Sequence, residues 1–248
     1  MSRGARMERN SFNWSLLDRF ALYSMLHSIQ SKIVDKKLTV DQLHKLMASH
    51  IKKHLPIKIK LERDPNNDKG FVYVGGAYYS LKDKAYENRY IEILFSYNPD
   101  QKWFRLSRHR WQRICSLFAD TMLHEIIHTR QFRSRNFKPI PGYQSNAYYA
   151  RERRKQEYYG DRDEIGAFSF NIACELHDRF GEDYRLAASY LDSNQYRRHT
   201  RTTFYKYMET FDHNHDHPII KRVKKKVLTQ LPNAVLGKPF RTSNYLTY

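Results

Sequence analysis

The sequence predicts an α+β fold with an antiparallel or mixed sheet. Apolar residues recur at helical spacing in the first 55 residues and again after residue 105, whereas residues 57–97 show the alternation of strands. The strands follow one another without intervening helices, which argues against the βαβ repeat of a parallel sheet.

Two helices are predicted before the strands. Residues 12–31 carry apolar side chains at spacings of three and four, as an amphipathic helix does. Thr39 suits the N-cap of a second helix, with Leu43 and Met47 on its buried face, and Pro56 sets its end. We therefore expect residues 1–55 to form an N-terminal helical region.

Three short strands are predicted next. They cover residues 57–62, 71–79 and 90–97, and turn-forming residues separate and end them. The first strand alternates apolar and basic residues, which indicates one exposed face.

The helix that follows contains His124-Glu125-Ile-Ile-His128, an H-E-x-x-H motif. Residues four apart on a helix share a face, so the two imidazoles can bind one tetrahedral zinc ion, leaving positions for a third ligand and a water. Glu125 can reach that water as a general base. The alternative is a buried helix with two hydrogen-bonded histidines and an exposed glutamate.

A further helix is expected to begin at Asp161 or Asp163 and to end at Gly181, after a connection over residues 136–150. Glu164 lies in its first turn, where a carboxylate either interacts with the helix dipole or binds a metal. We favour a ligand, because a zinc ion held by two histidines needs a third group. Asp161 and His177 remain alternative third ligands.

The motif, followed by Asp163-Glu164 and Ala167-Phe168 on a second helix, resembles the zincin metallopeptidases whose third ligand is a glutamate. In particular, it resembles the small metallopeptidases encoded by tailed bacteriophages. The resemblance implies a zincin-like core over residues 56–195, in which a short twisted sheet accompanies an active-site helix and a second metal-ligand helix. The SprT-like DNA-associated metallopeptidases share the first motif but use a third histidine, for which His177 would be the candidate.

The expected function is therefore a zinc-dependent hydrolase, specifically a metallopeptidase acting on a peptide or protein. Glu125 would be its general base, and Tyr143, Tyr158 and Tyr159 are candidates for stabilising the oxyanion. The alternative is a basic nucleic-acid-binding or structural protein on a zincin scaffold, for example one associated with a virion.

The formal net charge of +18 favours a polyanionic partner such as nucleic acid. We expect binding by the 105–113 patch and by a basic helix that begins at Pro218. The basic residues of that helix are Lys221, Arg222, Lys224, Lys225 and Lys226. They belong to a basic helical C-terminal region and tail over residues 196–248. In the same region, residues 213–217 alternate histidine with other polar residues, which indicates either a second metal site or an exposed polar loop.

Composition also bears on the compartment. Cys115 and Cys174 lie in apolar helical patterns, so we expect buried thiols and a reducing environment. The N-terminal residues lack a signal-peptide pattern, and no stretch approaches the roughly 20 apolar residues of a membrane helix. We expect a soluble cytoplasmic protein without a membrane span, found in the host cytoplasm or the virion if it is of phage origin.

Overall fold

The computed structural model describes residues 17–79 and 90–234. The chain divides into two compact units, one reaching Met122 and one beginning at Leu123. The first unit combines helices with strands, and the described part of the second is built from helices, so the predicted α+β class is confirmed. The expected division into residues 1–55, 56–195 and 196–248 stays a prediction.

The first unit begins with short helices. They are α1 (Arg19–His27), α2 (Gln30–Ile33) and α3 (Val40–His54). The prediction of one continuous helix over residues 12–31 is wrong for the described residues, because α1 ends at His27 and α2 begins three residues later. At the break, the hydroxyl of Ser28 donates to the carbonyl of Met25 at 2.7 Å, and such local bonds compete with the helix. Residues 12–16 lie outside the described residues.

Helix α3 begins as predicted. The Thr39 hydroxyl accepts a hydrogen bond from the backbone N–H of Gln42 at 3.1 Å, and the Gln42 side chain accepts one from the Thr39 N–H at 2.9 Å. This reciprocal pair satisfies two N–H groups that the helix itself leaves unpaired. The helix ends at His54, two residues before Pro56.

The strands within the described residues form two small sheets. They are β1 (Lys37–Thr39), β2 (Lys58–Arg63), β3 (Tyr73–Tyr79), β4 (Tyr90–Tyr97) and β5 (Trp103–Arg105). In the larger sheet, β4 is central, parallel to β2 and antiparallel to β3, so the predicted mixed sheet is confirmed. The smaller sheet pairs β1 with β5 and was not predicted, since three-residue strands give too little alternation to recognise.

The predicted motif helix is α4 (Arg108–Ser134). The boundary between the two units falls within it, between Met122 and Leu123, so the H-E-x-x-H motif belongs to the second unit. Cys115 lies in the part of α4 that precedes the boundary. Both Cys115 and Cys174 are buried and form no disulfide, as predicted.

The described part of the second unit continues with five further α-helices. They are α5 (Ala150–Gly160), α6 (Arg162–Phe180), α7 (Tyr184–Asp192), α8 (Thr203–Thr210) and α9 (Pro218–Ala234), with a 3₁₀ turn over Asn194–Arg198. Side chains of α6 to α9 share one hydrophobic core, which includes Ile172, Tyr207 and Val223. Helix α5 was not predicted, because its sequence is polar throughout its first turns. None of the helices in the described residues is long and apolar enough to cross a membrane.

Candidate metal centre

Three predicted ligand groups meet where α4 and α6 lie side by side. The Nε2 atoms of His124 and His128 are 3.1 Å apart. The Glu164 carboxylate faces both, with Oε2 at 3.3 Å from Nε2 of His124 and Oε1 at 3.4 Å from Nε2 of His128. Among the histidine, cysteine and acidic residues in the described part of the chain, His124, His128 and Glu164 form the group whose ligand atoms lie close enough to hold a metal ion.

Local sequence explains why these groups converge. His124 and His128 are one helical turn apart on α4, so their rings lie on the same face. Asp161 caps α6 by accepting a hydrogen bond from the N–H of Asp163 at 2.8 Å, which places Glu164 in the first turn. Asp161 is thus occupied as a cap, and His177 is buried in the last turn of α6, so neither alternative third ligand belongs to the group.

The distances between these atoms suit a tetrahedral zinc ion. Zinc–nitrogen and zinc–oxygen bonds of roughly 2.0–2.2 Å require ligand atoms to lie about 3.3–3.5 Å apart. The two imidazole nitrogens are 3.1 Å apart, and each lies 3.3–3.4 Å from a different oxygen of the Glu164 carboxylate, so the separations are close to those that zinc requires. Oε2 of Glu164 is also buried without a hydrogen bond inside the described residues. A buried carboxylate oxygen in this position is costly unless a cation or donor balances it, and a metal would do so.

The electrostatic environment keeps the acidic ligand ionised. Burial alone would raise the pKa of Glu164, but its contacts with His124 and His128 outweigh that effect and lower it to about 2. Burial lowers the pKa of His124. At His128 burial acts in the same direction, yet the Glu164 and Glu125 carboxylates and Gln131 outweigh it and raise the pKa. The site thus combines a carboxylate with two imidazoles of unequal basicity.

The two imidazoles are held by different contacts. Nδ1 of His128 lies 2.9 Å from Oε1 of Gln131. The ring of His124 instead packs against Phe168, with centroids 4.4 Å apart, and its Nδ1 is buried without a hydrogen-bond partner among the described residues. Gln131 was missed in the sequence, although its position three residues after His128 places it on the same helix face.

Glu125 is withdrawn from solvent. The exposed fraction of Glu125 is 4%, compared with 6% for His124 and 7% for His128. Its negative charge contributes to the raised pKa of both His128 and Tyr158, so its carboxylate lies within electrostatic range of the site. The alternative with an exposed glutamate is therefore not what the structure shows.

The chain matches no protein-family model, no curated protein and no solved structure.

The three tyrosines predicted as oxyanion stabilisers have different surroundings. Partial burial and the Glu164 and Glu125 carboxylates raise the pKa of the Tyr158 hydroxyl, which therefore stays protonated while the residue remains 48% exposed. Burial and Glu164 also raise the pKa of Tyr159, but its ring packs between Phe168 and Tyr207. Tyr143 packs on Phe211 and against Gly160. Tyr158 is thus the candidate that combines a protonated hydroxyl with access from solvent.

The other predicted binding residues lie apart from this group. His213, His215 and His217 do not form a metal-binding cluster within the described residues. The basic residues of α9 lie on its outer surface, except for Lys224, whose side chain is largely buried. In the first unit, Arg105, Arg108 and Arg110 of the 105–113 patch are exposed.

Proposed function

We propose that this chain is a zinc-dependent hydrolase, specifically a metallopeptidase with a zincin-like centre. The observation that carries the proposal is the convergence of His124, His128 and Glu164 beside the buried Glu125. The order of elements, with a small sheet before a motif helix and a ligand-bearing helix after it, is compatible with that fold.

The number of ligands supports catalysis over a structural role for the metal. Structural zinc sites take four protein ligands, whereas catalytic sites take three and keep one position open. The described residues offer three ligand groups, two imidazoles and one carboxylate. This count favours an enzyme over a scaffold in which the metal is architectural.

The residues then have separate tasks in hydrolysis. His124, His128 and Glu164 would hold the metal, which when bound supplies a Lewis acid and makes water more acidic. Glu125 would accept a proton from the attacking water and pass it to the leaving amine. Tyr158 would donate its hydroxyl hydrogen to the substrate carbonyl oxygen as negative charge develops there.

The experiment that tests this function compares Glu125→Gln with the wild-type protein. The substitution preserves size and removes the base, so the rate of cleavage of an unstructured peptide library should fall by about 10²–10⁴. Zinc content, measured on the same samples, should stay at the wild-type level. His124→Ala is the matched contrast and should lose both zinc and cleavage.

Two results would refute the proposal. One is wild-type protein that binds zinc and leaves the entire peptide library intact. The other is a Glu125→Gln protein that cleaves peptides at the wild-type rate, since the motif would then not be the catalytic centre.

Binding of a polyanion is a second candidate function, either alongside hydrolysis or instead of it. Arg222, Lys225 and Lys226 are exposed on α9 and make no ion pair with any residue in 17–79 or 90–234. Such a surface suits nucleic-acid phosphates. The salt dependence of nucleic-acid binding tests this candidate function.

A further inference from the structure

We propose that Gln131 is a positioning residue, which fixes the ring of His128 and holds together the two helices that carry the metal ligands. The inference rests on the proposed metal centre for its effect on zinc. The hydrogen-bond arrangement itself belongs to the metal-free protein and can be tested there.

The first step concerns the direction of two hydrogen bonds. The side-chain nitrogen Nε2 of Gln131 lies 2.9 Å from the backbone carbonyl of Asp163, and its Oε1 lies 2.9 Å from Nδ1 of His128. A carbonyl oxygen can only accept, so the amide NH₂ must face Asp163. The amide oxygen then faces His128, whose Nδ1 must carry the hydrogen.

This arrangement determines which nitrogen of His128 can bind a metal. When Nδ1 of a neutral imidazole is protonated, the lone pair is on Nε2. Nε2 is the atom that lies 3.1 Å from Nε2 of His124 and 3.4 Å from Oε1 of Glu164. Gln131 therefore selects the tautomer in which the lone pair points toward the other two ligands.

The second step concerns the spacing of the helices. Gln131 lies one turn after His128 on α4, and Asp163 immediately precedes Glu164 on α6. Asp163 is held a second time, because its carboxylate receives hydrogen bonds from Arg135 at 2.7 and 2.5 Å. Gln131 and Arg135 thus fix the first turn of α6 against the end of α4, and with it the distance from Glu164 to the two histidines.

Gly166 provides an independent indication. Glycine is unfavourable inside a helix because it adds backbone freedom to the unfolded chain. Here a β-carbon on Gly166 would lie 2.3 Å from Nε2 of Gln131. The missing side chain therefore leaves the space in which Gln131 reaches Asp163.

The experiment measures two properties of four variants. Gln131→Leu removes both hydrogen bonds and keeps a similar bulk, and Gly166→Ala displaces Gln131 without changing it. Gln131→Glu keeps an acceptor for His128, and Gln156→Leu applies the first substitution to a glutamine on α5. The two properties are the dissociation constant for zinc, by competition with a chelator, and the nitrogen NMR shifts of His128 without metal.

At alkaline pH, where the His128 ring is neutral, we expect the wild-type protein to show the tautomer protonated at Nδ1. Gln131→Leu and Gly166→Ala should each weaken zinc binding about 10–100-fold, which is the usual effect of losing such a partner. Both should also lose the preference for that tautomer. Gln131→Glu should keep the wild-type tautomer, because it retains the acceptor for His128. Gln156→Leu should leave both zinc affinity and the tautomer unchanged, whereas a general loss of packing would lower zinc affinity in this variant too.

If the neutral ring of His128 in the wild-type protein is protonated at Nε2 instead of Nδ1, the inference is overturned without any variant. Unchanged zinc affinity in both Gln131→Leu and Gly166→Ala would overturn it as well. If the wild type binds no zinc, the proposed function fails, yet the tautomer measurements on metal-free protein still decide the role of Gln131.

Discussion

Two groups of histidines in the second unit differ in what their ring nitrogens face. In the first group, His124 and His128 direct Nε2 toward each other and toward Glu164. In the second, His213, His215 and His217 each direct Nδ1 to a separate partner. The groups are similarly rich in histidine, and only the first brings its lone pairs together.

The partners of the second group explain its role. Nδ1 of His213 lies 3.2 Å from the Tyr196 hydroxyl, and Nδ1 of His215 accepts from the Lys224 ammonium at 2.8 Å. Nδ1 of His217 accepts a hydrogen bond from the N–H of Ile219 at 3.2 Å, at the start of α9. These histidines connect the loop before α9 to its surroundings, so the polar-loop interpretation fits better than the second metal site.

The difference follows from geometry. Positions four apart on a helix place two rings on the same side, where they can share one ligand. Alternating positions in an irregular segment set no such relation, so each ring takes whatever partner lies nearby. Histidine content alone therefore says little about whether imidazoles converge, whereas helical spacing places them on one face, here facing the carboxylate of Glu164.

Zinc content gives the sharpest test of this comparison and the largest expected effect. His128→Ala should abolish binding of the proposed zinc ion, because it removes one of three ligands and leaves Glu164 with one imidazole partner. His215→Ala changes a histidine of the second group and should keep one zinc per chain. The measurement is metal analysis after dialysis. Equal zinc loss in the two variants would mean that the second group also binds the metal.

Tyr158→Phe should have the next largest effect, on the rate of hydrolysis. Loss of one oxyanion donor typically lowers kcat about 10²–10³-fold. The rates are compared at saturating zinc, because the Tyr158 hydroxyl also hydrogen-bonds the Glu164 carboxylate and its loss would weaken zinc binding. Tyr143→Phe is the matched control and should retain its activity, since that ring packs on Phe211. A Tyr158→Phe protein with wild-type kcat would remove Tyr158 from the mechanism.

Thermal unfolding extends the same comparison to stability. Free zinc at a hundred times its dissociation constant should stabilise the folded protein by about 2.7 kcal/mol. That free energy corresponds to a rise in Tm of roughly 5–11 °C for a chain of this length. The rise should disappear in His124→Ala and persist in His213→Ala. A chelator should reverse it, and an equal shift in all three proteins would point to non-specific binding.

The smallest expected effect concerns the polyanion surface of α9. Lys224 is engaged by Asp192 at 2.9 Å and by His215, whereas Lys225 and Lys226 are exposed. Lys225→Gln and Lys226→Gln should each reduce the slope of log affinity for nucleic acid against log salt by about 1. Lys224→Gln should change that slope less. Absence of nucleic-acid binding by the wild type at low salt would end this proposal.

Much of the fold could be predicted from the sequence, because regular periodicity survives in single segments. The strand over residues 90–97 and the helix beginning at Pro218 were placed correctly. Helix α5 was not, since its polar sequence carries no stripe of apolar residues at helical spacing.

In the candidate site, too, the residues related within one segment could be predicted and those related by packing could not. His124 and His128 share one helix, so sequence spacing alone relates them. Glu164 could be proposed only as the best-placed carboxylate, because its distance to the histidines depends on how α6 packs. Gln131 was not anticipated, since the backbone carbonyl that orients it is contributed by another helix.

The two buried cysteines give each unit its own reporter of local opening. Cys115 precedes the boundary at Met122 and Cys174 follows it. Burial raises the pKa of Cys115, so this thiol is unreactive while it stays enclosed. A thiol-specific reagent can therefore modify each site only when the surrounding structure opens, and mass spectrometry can tell the two labels apart. The chain thus carries a built-in means of asking whether its two units unfold together or in succession.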